Sequence, residues 1–398
     1  MSLATSTILP ITDVTISDIV LPEGSDYLSR FAIVDNTGLT TLSVGDVAYI
    51  GSVKAGLALF TDQTSAPSSV LYGRLVNYFG ASPTVGCYIF YAGPSGSDDD
   101  DRAAIGQLST WYANNYNEVN GGTAWCAASL PQSWYAGAAQ DSTSALNTFL
   151  KAYSGPGDMP IFVMDTLSSD GSADPDISAV TGLSDAVLVY APSATAYQGS
   201  ALLGTIASVY SGTSPTSAPN ISLYTAPTAT APDLTQSEKS DLNAANVVWS
   251  GTVNTTTGAQ VWQGGRTQSG ILIQNKYAAN VVKLVVQTAL DDMIILRNQA
   301  GNPILYDEAG IRELAARIRQ ELGALARSGI ITQVAYQPAT SVSAAVAASP
   351  SVSYVPYAQY VTANPSDVAA GIYDGFTLSV QCNYYFTSLT IRGNFMMQ

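Results

Sequence analysis

Between Gly86 and Pro192 the chain alternates short apolar runs with stretches of helical spacing, and this alternation limits the possible folds more than any other feature. "GCYIFYA" (86–92), "TAWCAASL" (123–130), "PIFVMD" (160–165) and "DAVLVYAP" (185–192) read as strands bounded by Pro, Asp and Gly. "DRAAIGQLSTWYANNY" (101–116) and "DSTSALNTFLKAY" (141–153) read as helices, the second capped by Asp141 or Ser142. Upstream, Val70, Leu71, Leu75, Val76 and Phe79 have helical spacing, with Gly80 as the expected stop. Strands that alternate with helices predict an α/β unit with parallel pairing.

The flanking regions differ. Residues 1–30 carry short alternating runs, Val14/Ile16 and Ile19/Leu21, between Pro10 and Pro22, and read as an extended arm with strand character. Residues 211–232 are rich in Pro, Ser and Thr and mark a boundary. The predicted division is therefore an arm (1–30), an α/β domain (31–232) and a C-terminal α+β domain (233–398). In this last part "LTQSEKSDLNAANVVWSG" reads as a helix running into a strand, and "NKYAANVVKLVVQTALDDMIIL" as a deeply packed helix whose polar stripe is Lys283, Gln287 and Asp291. The next helix has Asp307 as N-cap, Tyr306 and Ile311 at staple positions, and Gly329 as its end. Its apolar face is Ile311, Leu314, Ile318, Leu322 and Leu325; Arg312, Glu313, Arg319, Gln320 and Arg327 lie largely off it. Residues 339–353, "ATSVSAAVAASPSVS", read as a low-complexity loop.

Composition excludes several functions. The 398 residues suffice for two or three domains, and 46% are hydrophobic. A net charge of −15 with only 15 Lys and Arg argues against a nucleic-acid partner, which requires clustered basic residues to displace counterions. Charged residues are only 11% of the chain, so the polar surface is mostly Ser, Thr, Asn and Gln, which suits packing against copies of itself. Neither a signal peptide nor a membrane-spanning run is expected. Cys87, Cys126 and Cys382 lack paired spacing and read as free, buried thiols in a cytosolic product. There is no histidine, which rules out Ser-His-Asp and Cys-His sites and zinc sites of the HExxH type.

What remains as candidate chemistry is acidic. Asp98 to Asp101 in "SGSDDDDRAAIG" offer oxygen ligands for a divalent cation, but the spacing departs from a calcium loop; a solvated loop whose last Asp caps the next helix is the preferred reading. Asp170, Asp174 and Asp176 in "SSDGSADPD" are read the same way. Asp291 and Asp292 are adjacent on a helix and point about 100° apart, so they form no dyad. Gly-rich stretches fail phosphate-loop spacing, and "WQGGRTQSG" around Arg266 is a turn with at most a weak anion signal. No catalytic, metal or cofactor residues are assigned.

The C-terminus poses a different problem. In "DGFTLSVQCNYYFTSLTIRGNFMMQ", Phe376, Leu378, Val380, Cys382, Tyr384 and Phe386 alternate with polar residues, the pattern of a half-buried strand. The phase then slips at Thr387–Ser388, so that Leu389, Ile391 and Phe395 lie on odd positions. A bulge within one sheet and a strand leaving for a neighbour's sheet both account for the slip.

The order of these segments resembles the sheath protein family of contractile phage tails. "LTQSEKSDLNAANVVWSG", "GGRTQSG" and the long apolar helix are similar to one block of that family. "NPILYDEAGIRELAARIRQELGALARSGII" is similar to another, "NPSDVAAGIYDGFTLSVQCNYYFTSLTIRG" to its C-terminal strands, and "VNYFGASPTVGCYIFYAG" to the segment before its outer domain. The family's Arg-rich "DRaaR" stretch is reduced here to Asp367-Val368-Ala369-Ala370. The resemblance implies a non-enzymatic, multidomain sheath subunit: extended terminal arms, an outer α/β domain, and a C-terminal mixed-sheet assembly domain whose strand arm covers about 376–398. It also implies six-membered rings stacked helically around a tail tube protein, with baseplate and tail terminator proteins as further partners, assembled in the host cytoplasm into the virion tail. No nucleic acid, membrane insertion or cofactor is expected. Strand exchange between subunits would involve Val14, Ile16, Ile19, Leu21, Leu389, Ile391 and Phe395, and Arg312, Arg319 and Arg327 would face the tube. The rivals are another self-assembling virion protein, such as a tail-tube or capsid-associated subunit, and an Asp- or metal-dependent hydrolase using the acidic clusters.

Overall fold

The computed structural model describes residues 26–116, 124–136, 140–153, 160–166, 186–192, 195–210, 224, 226, 234–254, 259–332 and 350–380. Chain order begins with β1 (Phe31–Asp35), β2 (Val47–Ile50), α1 (Val53–Leu57), α2 (Val70–Ala81), β3 (Cys87–Tyr91), α3 (Asp98–Asn115) and β4 (Ala127–Ser129). There follow α4 (Ser133–Ala136), α5 (Gln140–Ala152), β5 (Ile161–Thr166), β6 (Ala186–Tyr190) and α6 (Gln198–Tyr210). The six strands form one sheet of order β2-β3-β1-β4-β5-β6. Only the β2–β3 pairing is antiparallel.

Parallel strands covered on both faces need apolar side chains at every position, and β1, β5 and β6 are buried along their whole length. Helices α2 and α6 pack on one face and α3 and α5 on the other. Ile50 lies beside α2, whereas Phe90 meets Trp111 of α3, and Phe162 meets Tyr112 of α3 and Phe149 of α5. Trp111 and Trp125 stack 3.7 Å apart in this second layer. The two helices of the first layer approach closely: a Cβ built on Gly204 of α6 would sit 2.3 Å from the carbonyl oxygen of Tyr78 in α2. α5 begins at Gln140, so Asp141 and Ser142 lie inside its first turn rather than ahead of it.

The rest of the chain extends the same body. It comprises α7 (Gln236–Ala244), β7 (Trp249–Asn254), β8 (Ala259–Gln263), α8 (Ile273–Gln299), α9 (Glu308–Ser328), β9 (Ser351–Tyr354), α10 (Tyr357–Ala363), α11 (Pro365–Ala370) and β10 (Phe376–Ser379). Thr235 opens α7 with a capping box closed by Glu238. Val248 then pairs in parallel with Val189 on the free edge of β6, its N–H donating to Leu188 O at 2.8 Å. Tyr277 of α8 stacks on Tyr210 of α6 at 4.1 Å and donates its hydroxyl to the Tyr210 carbonyl at 2.6 Å. Residues on both sides of the 232/233 division thus share one hydrophobic core. Lys283 and Gln287 of the supposed polar stripe are themselves buried, so this part of α8 is enclosed nearly all round.

Two loop readings are corrected. Asp98 to Asp101 form the first turn of α3, with Ser97 as the cap accepting from Asp100 N–H; four carboxylates at a helix N-terminus are held there by the helix dipole. Ser351 to Ser353, read as the end of a loop, belong to β9, which pairs antiparallel with β10. The predicted alternation in β10 is present: Phe376 and Leu378 are half-buried and Thr377 and Ser379 exposed.

Candidate functional site

In an open α/β sheet the place to look for a ligand is the crevice beyond the carboxyl ends of the parallel strands. Here it is filled from within. Arg74 reaches in from α2 and is only 4% exposed. Its Nη1 donates to Val34 O at 2.5 Å, its Nη2 to Ser129 O at 2.7 Å and Ser129 Oγ at 3.0 Å, and its Nε to Ser200 Oγ at 3.2 Å. Asp35 at the end of β1 and Asp165 at the end of β5 are buried and lie in its field. Burial raises both carboxyls above the usual range, Asp165 to about 6, although the N–H of Gly199 at 2.5 Å and the Arg74 charge pull the latter down. All these groups are shut off from solvent, so the arrangement braces α2, β1, β4, β5 and α6 together and leaves no room for a substrate. Sequence reading missed it; the signal was a basic residue on the apolar face of α2, among Leu71, Leu75 and Tyr78.

The acidic cluster of α3 forms no ligand shell either. Arg102 pairs with Asp99 and lies 3.9 Å from Asp98. Among the described residues no group of three or more acidic or thiol side chains is placed to hold a metal. Asp170, Asp174 and Asp176 lie outside the described residues. Cys87 and Cys126 are free and buried, and burial pushes both thiols up, Cys126 to about 12, far from a reactive thiolate. Arg266 is turned onto its own loop, donating to Gly270 O at 2.7 Å. Among the described residues no helix is long and apolar enough to cross a membrane.

A second candidate surface is built by α9 and the antiparallel β9–β10 pair, whose strands are joined through α10 and α11. Asp307 caps α9 by accepting from Gly310 N–H at 2.8 Å, and Gly329 ends it with φ +84°. Gly310 has a packing reason: a Cβ there would lie 2.0 Å from the Leu305 carbonyl oxygen. Ile311, Ala315, Ile318, Leu322 and Leu325 bury the inner face, and Arg297 of α8 pairs with Glu313 at 2.6 Å. On the outer side, Glu308 accepts from Arg312 Nε at 2.9 Å, from Tyr354 OH at 3.4 Å and from the Tyr357 N–H at 2.8 Å. Arg319 donates to Val352 O at 3.1 Å. Arg312 and Arg319 therefore hold the β9–β10 pair to α9, while Arg327 is exposed near the helix end. A tyrosine cluster that sequence reading overlooked completes the unit. Tyr360 donates to Asp374 and Asp367, Tyr373 to Val355 O, and Tyr306, instead of serving only as a staple, packs on Tyr357 and Tyr373. The positions expected to exchange strands, Val14, Ile16, Ile19, Leu21, Leu389, Ile391 and Phe395, lie outside the described residues.

No protein-family model matches the chain, and no curated protein does. Solved structures do. The chain is similar to one from the six-fold symmetrised baseplate of the anti-feeding prophage, with TM-score 0.61, 15% identity and full coverage of both chains. It is similar to one from the contracted helical sheath of the same particle, with TM-score 0.58, 14% identity and full coverage of both. It is also similar to the sheath tail protein of Listeria innocua, with TM-score 0.52 and 9% identity, over 85% of this chain and 90% of that one. The fold is that of the sheath proteins of contractile injection systems.

Proposed function

We propose that this chain is a non-catalytic sheath subunit that polymerises with copies of itself around a tube and shortens to drive that tube forward. The observation that carries this reading is likeness of fold over the full length of both chains at a TM-score of 0.61. Six-membered rings stacked into a helix, contacts with a tube protein, a baseplate and a terminator, and contraction on a baseplate trigger follow from that reading. A phage tail and an extracellular injection device both fit; genome ejection belongs only to the first.

The β9–β10 pair supports the mode of assembly. Among the described residues β9 and β10 pair as two strands with residues half-buried on one side only, and such a pair is marginal alone. An open strand edge is a template for strand addition, and the apolar alternations at Val14–Leu21 and Leu389–Phe395 are the segments of this chain suited to add to a neighbour's sheet. Deleting Ser388–Gln398 tests this. The expected result is a monomer with a nearly unchanged cooperative melt that no longer forms rods; a truncation that melts early or precipitates would mean the segment completes its own subunit. Of the three arginines proposed to face the tube, Arg327 is the clean probe, because Arg312 and Arg319 also hold the β9–β10 pair. Arg327→Gln is expected to weaken tube co-assembly at low salt, and unchanged co-assembly at all salt concentrations would remove it from that interface.

A further inference from the structure

The described residues differ sharply in how they are held. In the six-stranded sheet, β1, β5 and β6 are buried at every position. In β9 and β10 no residue is buried. Tyr360 is the only buried residue of 351–379 apart from Gly375, and its hydroxyl partners, Asp374 and Asp367, lie within the same stretch. Tyr373 also bonds inside it, to Val355 O, and Val355 N–H donates to Gly375 O at 2.9 Å. The stretch therefore has an internal framework of its own. Its seam with the rest is half-exposed: Val352, Phe376 and Leu378 are only partly buried against the main core, the Tyr306 ring packs edge-on against Tyr357 and Tyr373, and the further ties among the described residues are polar. Those ties are Glu308 to Tyr354, Tyr357 and, through Arg312, Tyr354 again; Arg319 to Val352 O; and Tyr306 OH to Ile372 O at 2.5 Å.

We propose that residues 351–379 dock on α9 and leave it as one unit, with the Glu308 carboxylate as the catch. Segments with few buried apolar contacts open independently of the global fold. A single carboxylate at the first turn of α9 gathers a guanidinium from its own helix, a phenol from β9 and the first N–H of α10, so neutralising one group loosens three ties at once. A unit that swings from α9 without unfolding would let the rest of the subunit reorient relative to it. This use rests on the sheath reading; the docking equilibrium itself does not.

Hydrogen–deuterium exchange on the full chain, kept monomeric at low concentration, tests the docking equilibrium separately from assembly. In the unaltered protein the Tyr357 amide, which donates across the seam to Glu308, is expected to exchange faster than those of β5, while the amides of Val355, Asn364 and Ile372, whose acceptors lie inside the unit, stay protected. Raising salt from about 0.1 M to about 1 M should speed exchange at Tyr357 and leave β5 unchanged. Glu308→Gln, which keeps the shape and removes the charge, is expected to raise Tyr357 exchange several-fold, and Arg319→Gln, which cuts the separate tie to Val352 O, is expected to raise it as well, because the unit leaves as one body. Tyr357 exchange that matches β5, that responds to Glu308→Gln but not to Arg319→Gln, or that speeds only together with the amides inside the unit would overturn the proposal. Should the variants not fold, the salt dependence in the unaltered chain decides, and an absent salt effect at Tyr357 counts against it.

Discussion

Arg74 Nη2 lies 2.7 Å from the main-chain oxygen of Ser129, a contact that ties α2 to the middle of the parallel sheet across 55 residues of sequence. The guanidinium is buried with Asp35 and Asp165, and breaking such a group by removing one partner leaves uncompensated charge.

Replacing Arg74 by Met, similar in length but neutral, is therefore expected to destabilise the fold by about 3–5 kcal/mol near neutral pH. The sign of the pH effect follows from the carboxyls. Both have folded-state values raised by burial, Asp165 to about 6 from 3.8, so the native state binds more protons than the unfolded chain between about pH 4 and 6. Their charged forms oppose folding above that window, and the opposition fades as pH falls through it. The Arg74→Met penalty should accordingly shrink on going from pH 7 to about pH 5, read by urea unfolding at both. An equal penalty at the two pH values would mean that the carboxyls do not depend on Arg74.

A paired substitution tests the packing of the two helices on one sheet face. Gly204→Ala places a methyl against the Tyr78 carbonyl and must move α6 or α2, so a loss of about 1–3 kcal/mol is expected. Gly106→Ala, on the exposed side of α3 with open space around it, is expected to be neutral or to stabilise by up to about 1 kcal/mol. Thermal melts of the two variants should move apart; equal shifts would contradict the close approach.

Tyr277→Phe removes the hydroxyl that donates to Tyr210 O while keeping the stacked ring. The loss should be about 1–2 kcal/mol, because the α6 carbonyl is left without its buried donor. An unchanged denaturation midpoint would show that the α6–α8 junction depends on stacking alone.

What was legible in the sequence shares a physical basis. The strands of the α/β unit declared themselves as unbroken apolar runs, because both faces are covered. The ends of α9 declared themselves because capping is a local matter of Asp307, Gly310 and Gly329. Arg74 was not legible, since its partners come from β1, β4, β5 and α6, 40 to 126 residues away. The role of Glu308 was half legible: the pairing with Arg312 four residues on follows from helical spacing, whereas Tyr354 and Tyr357 lie 46 and 49 residues beyond it. Asp98 to Asp101 read as a solvated loop whose last Asp caps the helix, whereas the cap is Ser97 and all four carboxylates occupy the first turn, because the dipole preference assigned to Asp101 alone serves the whole run. The resemblance to sheath proteins, drawn from the order of segments, agrees with the fold.

The central claim is that this chain builds a sheath. Electron microscopy of the purified protein, alone and together with a candidate tube protein, addresses it most directly. The account predicts hollow rods or stacked rings with six-fold end-on averages and a helical repeat along their length. Monodisperse single subunits under all conditions, with no rods in the presence of the tube, would contradict it.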